Sequence, residues 1–535
     1  MEGRVQRTCL DLKKVLRCSL DGVFVGGASE QGSEEEEIEG AGSVLRDAAA
    51  FRKPVAGREI PITLPKEPEV VLYRSTFNSG NKSCASWRVS LAQRRHLAQR
   101  RLKAGMRPDT MLTGWFGMQQ FPRRTLLKVA GAAPLLSAAN GSAEGNDQTP
   151  VRSENATAPN MLGAYGSWAA ESMQDPARLS FRQPMFTDAG AWRPLARSQF
   201  RERLMQPGGA STPVAAVLRQ LEFDGLWIEH LQWQLPFGPP TEALLLKPAG
   251  SKGKLPGIVG LHDHGGQKYF GMRKITRTSN DQHPVMQRHQ EQYYGGAAWA
   301  NEMARRGYAV LVHDTFTFGS RRMRLADLPA NIRDNLVELN PDSEEEIQRY
   351  NQFAANHEHL IAKSLFCAGL TWPGVFVFDD QRALDYLASR PDVDATRIGC
   401  AGLSGGGLRT VMLTGADERI RCSCCVGMMT TWRDYLLNKC YTHTWMVYMP
   451  GLPRDLDYPE VLGINAPSPA LVLNNRQDSL FTMPEMQRAD GILTEVYKKA
   501  GAPERYRASF YDGPHKFDRE MQKEAFAWFD RWLKS

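Results

Sequence analysis

The chain has 535 residues, 42% of them hydrophobic and 23% charged, with a formal net charge of +7 at pH 7. These are globular proportions, with room for two to four average domains. The charge is small for the length and gathers partly in arginine clusters such as Arg94, Arg95, Arg100 and Arg101, so it does not build the basic face that nucleic-acid binding requires. No apolar run approaches the roughly 18 residues of a spanning helix, and stable membrane insertion is not expected.

Residues 1–117 show little sustained helical or strand period. They hold an acidic run from Glu34 to Glu37, a repeated Leu-Ala-Gln-Arg-Arg, and scattered Gly and Ser. Such a segment buries too little apolar surface to offset its ordering entropy. No packed core is expected there, and the segment reads as disordered or as a non-native upstream extension. The text changes at Met118. Arg123-Arg124 precede Leu126, Leu127 and Lys128, an Ala/Leu/Val stretch follows, and small residues cluster from Ala139 to Ala143. Basic, then apolar, then small is the layout of a twin-arginine-like signal peptide over 118–143, with Met118 as its initiator. It predicts an exported protein, periplasmic or extracellular.

Residues 144–225 form a polar, proline-containing lead-in with some helical segments. From 226 to 535 strands and helices alternate. "LWIEHLQWQL" and "ALLLKP" predict an antiparallel pair, and "GIVGLHDHGG" a buried strand running into a glycine turn. "NEMARRGYAVLVHD" predicts a helix closed by Gly307 and another buried strand. A polar helical insertion (315–370) follows. Then come a helix around "VFDDQRALDYLASR", the strand "RIGCAGLS", a helix from Gly405 and the strand "CSCCVGMM". A lid-like aromatic excursion (430–465), the strand "ALVLNNRQD", a helix, the strand "RASFYDGP" and a final helix complete the series. This alternation predicts an α/β fold: a mostly parallel central sheet covered by helices on both faces. Cys422, Cys424 and Cys425 have no partners at zinc-ligand spacing, and read as thiols packed as small hydrophobes on a buried strand.

The chemistry centres on Gly402-Leu403-Ser404-Gly405-Gly406. G-x-S-x-G between a buried strand and a helix places the serine on a tight, strained turn, its hydroxyl above the sheet and a helix N-terminus aimed at it. The plain alternative is a glycine-rich turn capped by a serine. A serine hydroxyl needs a base, and the chain order in this fold is Ser, acid, His. Asp478 ends the strand "ALVLNNRQD", and His515 follows the last strand. Both therefore fall at the sheet's C-terminal edge, where ligands collect. Asp512 is the competing acid, on the same loop as His515 and more suited to a turn. His443 and His357 lie off the strand ends and read as ordinary surface or insertion residues. An oxyanion needs donors: the amide of Gly405 supplies one, and the loop His262-Asp263-His264-Gly265-Gly266 the second, with Gly265 and Gly266 the candidates. His264 either shapes the acyl or alcohol side or is structural, and Asp314 reads as fixing the loop that follows it. The aromatics of the excursion, Trp432 and Trp445 among them, either offer faces to sugars and aromatic acids or pack its core.

At these residues the chain resembles the acetyl xylan esterase and dienelactone hydrolase branch of the α/β-hydrolases, over about 225–535. The stretch "VFDDQRALDYLASRPDVDATRIGCAGLSGGG" is the most specific, and "HDHGG", "NRQD" and "GPHKF" match in order and spacing. The resemblance implies hydrolysis of carboxylic esters, of a small molecule or a carbohydrate, with no metal and no organic cofactor. Dienelactone hydrolases proper use a cysteine nucleophile; Ser404 here favours the esterase side. A prolyl-oligopeptidase-type serine peptidase shares fold, triad order and elbow, but such enzymes usually carry a β-propeller for which 144–225 is too short. A non-catalytic binding protein on a hydrolase scaffold is disfavoured by the intact Ser404, Asp478 and His515.

Overall fold

The computed structural model describes residues 71–79, 82–90 and 159–534, apart from 210, 334, 335 and 337–339. The chain divides into two compact units, Met1–Asn146 and Asp147–Ser535. In the first, β1 (Val71–Ser79) pairs antiparallel with β2 (Lys82–Ser90), which is regular structure in a stretch where little strand period is legible. The register runs from Val71 opposite Ser90 to Ser79 opposite Lys82. The signal-like segment 118–143 lies outside the described residues.

The second unit is built on a nine-stranded sheet in the order β11-β10-β9-β8-β6-β7-β5-β4-β3. Its strands are β3 (Ala216–Phe223), β4 (Leu226–Trp233), β5 (Thr241–Pro248), β6 (Leu255–Leu261), β7 (Ala309–His313), β8 (Val393–Leu403), β9 (Ile420–Val426), β10 (Ala470–Asn475) and β11 (Tyr506–Tyr511). The first three form an antiparallel meander that joins β7 antiparallel, and from β7 onward every neighbour is parallel. This is the expected α/β-hydrolase fold.

Helices cover both faces. On one lie α1 (Ala189–Leu204), α5 (Trp372–Ser389), α6 (Gly405–Ala416) and α7 (Met483–Lys499). Their Phe200, Trp372, Val411 and Leu493 share a buried cluster with Cys425 and Val472 of the strands. On the other, α3 (Trp299–Arg305) and α8 (Arg519–Leu533) pack Trp299, Met303 and Phe529 against Cys422, Cys424 and Leu471. Successive side chains on a strand point to opposite faces, so a sheet sandwiched between helices must be apolar on both. β9 shows this directly: its cysteines divide between the two layers, buried, with burial pushing all three thiols up.

The lead-in belongs to this unit more fully than its polar composition suggests. It supplies α1, whose Trp192, Phe200 and Leu204 are buried, and the outer strand β3. The insertion holds α4 (Glu344–Cys367), capped by Ser343, which accepts from the Glu346 amide. No single helix among the described residues is long and apolar enough to cross a membrane.

Candidate active site

β8 ends at Leu403 and α6 begins at Gly405, leaving Ser404 as the turn between them. Its backbone is at φ 57°, ψ −118°, a region that costs a non-glycine residue strain. Two ladder bonds hold it there: Ser404 N–H donates to Val426 O (2.9 Å), and Ser404 O accepts from Leu408 N (2.8 Å). The flanking glycines are sterically required. A Cβ on Gly402 or on Gly406 would overlap the Leu261 carbonyl, and one on Gly407 would stand 2.6 Å from Val426 O. Crowding of the elbow against β6 and β9 is what the motif's small residues accommodate.

Ser404 opens into a cavity of about 210 Å³ that His515 also lines. His515 Nδ1 lies 2.6 Å from Asp478 Oδ2. Since a carboxylate accepts, Nδ1 donates, and the lone pair is left on Nε2, which is buried with no hydrogen-bond partner among the described residues. Asp478 is buried, and its other oxygen accepts from Leu480 N (3.0 Å). Asp512 is not part of this arrangement: its side chain is 86% exposed and pairs with Arg476. Below the imidazole is Gly427, where a Cβ would stand 2.9 Å from His515 Cε1. Tyr293, from α2 (Pro284–Tyr294), meets His515 edge-on with ring centroids 6.4 Å apart.

The expected oxyanion loop lies beside the elbow, with His264 and Gly265 next to Gly405 along the cavity lining. The position a Gly405 Cβ would take is 2.9 Å from the backbone nitrogen of His264, so His264's amide stands against Gly405. Gly266 drops out, because its amide donates to His264 Nδ1 (3.1 Å). Gly265 and Gly266, at φ 49° and 70°, allow the tight turn closed by Gln267 N donating to His264 O. The His264 ring meets Glu358 of α4 through Nε2 (3.1 Å), and Glu358 also pairs with Lys268 (2.8 Å). Burial lowers the pKa of His264, favouring the neutral ring.

Behind the loop, Lys274 donates to the carbonyls of Asp263 (2.7 Å) and His264 (2.9 Å). Burial holds its pKa down at about 8. Burial opposes the charge of Asp263, but His289 and Lys274 beside it hold the carboxyl well below the usual range, and Tyr294 donates to it as well. Asp314 fixes two loops, accepting from Met272 N and Ser320 N (both 2.7 Å).

Thr442, His443, Thr444, Met446 and Val447 form the excursion's side of the cavity; Leu403, Leu408, Met428 and Leu480 add further apolar lining. Neither of the two tryptophans, read as facing substrate or packing the excursion's core, lines the cavity. Trp432 is buried in the core, its Nε1 donating to Leu456 O (3.2 Å), because the excursion folds its own aromatic cluster inward. Trp445 is 40% exposed and meets Phe366 edge-on, while its neighbours on either side face the cavity. His443 is the residue missed: it lines the cavity, and burial pushes its pKa down to about 4. Its Nδ1 faces the Thr442 hydroxyl (2.8 Å) and Lys439 O (3.3 Å). His357 is on α4, stacked on Phe353 and outside the lining.

The chain matches the model of the prolyl oligopeptidase family over residues 370–468, the stretch from α5 through the elbow into the excursion. It is 26% identical over 309 residues to "Putative hydrolase YtaP" of Bacillus subtilis (strain 168), covering 57% of this chain and 88% of that protein. Among solved structures it resembles a "putative acetyl xylan esterase" of Bacteroides fragilis, at a TM-score of 0.49 and 15% identity over 65% of this chain and 82% of that one. A glucuronoyl esterase from Solibacter usitatus matches at a TM-score of 0.45 and 15% identity, over 66% and 97% of the two chains. With the strand order and the elbow, the family match and the curated relative support a hydrolase.

Proposed function

We propose that the chain is a serine hydrolase of carboxylic esters that works through an acyl-enzyme. The observation that carries this reading is one arrangement: Ser404 at φ 57° shares a cavity with His515, whose Nδ1 is held by Asp478 at 2.6 Å and whose Nε2 has no hydrogen-bond partner among the described residues. In the mechanism, Ser404 Oγ attacks the ester carbonyl and His515 Nε2 takes its proton. The amides of Gly405 and of the His264 turn hold the oxyanion. His515 then protonates the leaving alcohol, and water repeats the sequence on the acyl-enzyme. Asp478 keeps the imidazole in the tautomer that presents Nε2 and stabilises the imidazolium. A neutral ester suits the lining, which is largely apolar and whose one carboxylate, Asp263, is already paired with His289. The substrate is a small-molecule or carbohydrate ester.

The family match over 370–468 favours a second reading, a serine peptidase with the same machinery. One experiment tests both. Wild-type protein should hydrolyse p-nitrophenyl acetate and incorporate a fluorophosphonate at Ser404. Ser404→Ala should stay folded and lose on the order of 10⁴-fold or more in turnover. Near wild-type activity in that variant would remove Ser404 from the chemistry, and faster turnover of peptide p-nitroanilides than of esters would select the peptidase.

A further inference from the structure

Lys274 has 0% exposure at its side chain and lies on a short helical turn, Met272–Lys274, behind the oxyanion loop. Burying an ammonium is costly unless it is paired and hydrogen-bonded. Its nearest carboxylate, Asp263, is 3.9 Å away, whereas two consecutive backbone carbonyls, those of Asp263 and His264, accept from it at 2.7 and 2.9 Å. The charge is therefore spent on peptide groups, and a methionine would fill much of the same space without the desolvation cost.

Peptide planarity gives that contact a consequence. The cis bonds among the described residues are at Asp175-Pro176 and Ala466-Pro467, so the peptides following Asp263 and His264 are trans. In a trans peptide the N–H points opposite to the C=O. With both carbonyls turned to Lys274, the amides of His264 and Gly265 both face away from it. Gly405, the residue after the nucleophile, stands at the amide nitrogen of His264, where its absent Cβ would be 2.9 Å away.

We propose that Lys274 is the positioning residue of the oxyanion hole, its ammonium fixing two peptide planes so that the amides of His264 and Gly265 meet the charge that develops on the attacked carbonyl oxygen. This rests on the acyl-transfer reading of the site. Lys274 touches no substrate; it acts through the backbone, and its positive charge behind the two amide dipoles strengthens them in a water-poor setting.

The test compares wild type, Lys274→Met and Lys274→Arg in p-nitrophenyl acetate hydrolysis and in inhibition by a trifluoromethyl ketone, which forms a tetrahedral oxyanion adduct with a serine. Folding is checked by circular dichroism. Lys274→Met should lose about 10²-fold in kcat, the scale of one oxyanion donor, with KM within about 3-fold, and ketone affinity should fall in parallel. Lys274→Arg, which keeps charge and donors, should recover most of the loss. A folded Lys274→Met with kcat and ketone affinity within about 3-fold of wild type, or with its loss in KM alone, overturns the proposal. If the Met variant does not fold, Lys274→Gln, uncharged and one atom shorter, is measured instead. It should lose at least about 10-fold in kcat, and parity with wild type overturns the proposal. Fluorophosphonate labelling of wild-type Ser404 separates the two readings: without it the acyl-transfer reading falls too, and with it an unchanged rate in the Lys274 variants overturns only the positioning role.

Discussion

At the scale of single residues, the proposal of Asp478 as the acid rests on what each carboxylate already holds. Asp478 is buried and faces His515 Nδ1, whereas Asp512 sits in solvent against Arg476. Asp478→Asn should then cost on the order of 10⁴-fold in kcat, because an amide can hold the imidazole in the wrong tautomer. Asp512→Asn should leave kcat within about 3-fold of wild type, since exposed ion pairs contribute little. Steady-state kinetics on the two variants checks this, and the reverse order would take Asp478 out of the site. Ser404, Asp478 and His515 stand out in the sequence for a physical reason: each lies within four residues after the C-terminal end of a strand, and local pattern reveals strand ends. Lys274, Glu358 and His443 have no such signature. Glu358 reaches His264 across 94 residues of chain, and His443 enters the cavity only through the way the excursion folds. Trp432 and Trp445 show the converse, since an aromatic run announces burial or recognition without saying which.

At the scale of elements, the alternating strands and helices are legible directly, while α1 is obscured by its charge. Trp192, Phe200 and Leu204 lie among Arg193, Arg197, Arg201 and Arg203, so the segment looks polar. Yet Arg197 is itself buried, donating to Gly415 O (3.2 Å) and Asn465 Oδ1 (3.0 Å). The lead-in is fastened a second time at the short helix Tyr458–Gly463. There Glu460 completes a capping box with Asp457, accepts from Ser180, and pairs with Arg182 at 3.1 Å. Burial outweighs those partners and raises the pKa of Glu460 to about 7. A carboxyl whose folded pKa lies above its unfolded value binds its proton more tightly in the folded state. Its contribution is complete below about 4.5 and is lost as pH rises through about 7. Urea unfolding between pH 5 and 8 should show wild type losing stability relative to Glu460→Gln as pH rises, by up to about 3 kcal/mol. Parallel pH profiles for the two proteins would mean that Glu460 does not titrate with folding.

At the scale of the whole molecule, the question is which part of the chain the fold needs. The buried clusters of the second unit draw on residues from Phe181 onward, and the lead-in covers α6 with Phe200 beside Val411 and Met412. A chain beginning near Glu144 keeps every one of these contacts and should match the full chain in activity and in thermal midpoint. A chain beginning at Leu226, the boundary that strand alternation alone suggests, loses α1 and β3. Removing buried Trp192, Phe200 and Leu204 costs about 2–5 kcal/mol each. Their sum is comparable to the roughly 5–15 kcal/mol that holds a typical domain folded. That truncation should not fold, and an active, cooperative protein from it would show that the lead-in is dispensable. The chain beginning near Glu144 bears on the export proposal as well. If the twin-arginine-like segment is removed between Ala139 and Ala143, the mature protein starts at nearly the same residue, and folding before export places a finished hydrolase outside the cytoplasm. N-terminal sequencing of protein from the native host decides it: a start between 139 and 144 supports export, and a mature protein still beginning at Met1 ends the proposal.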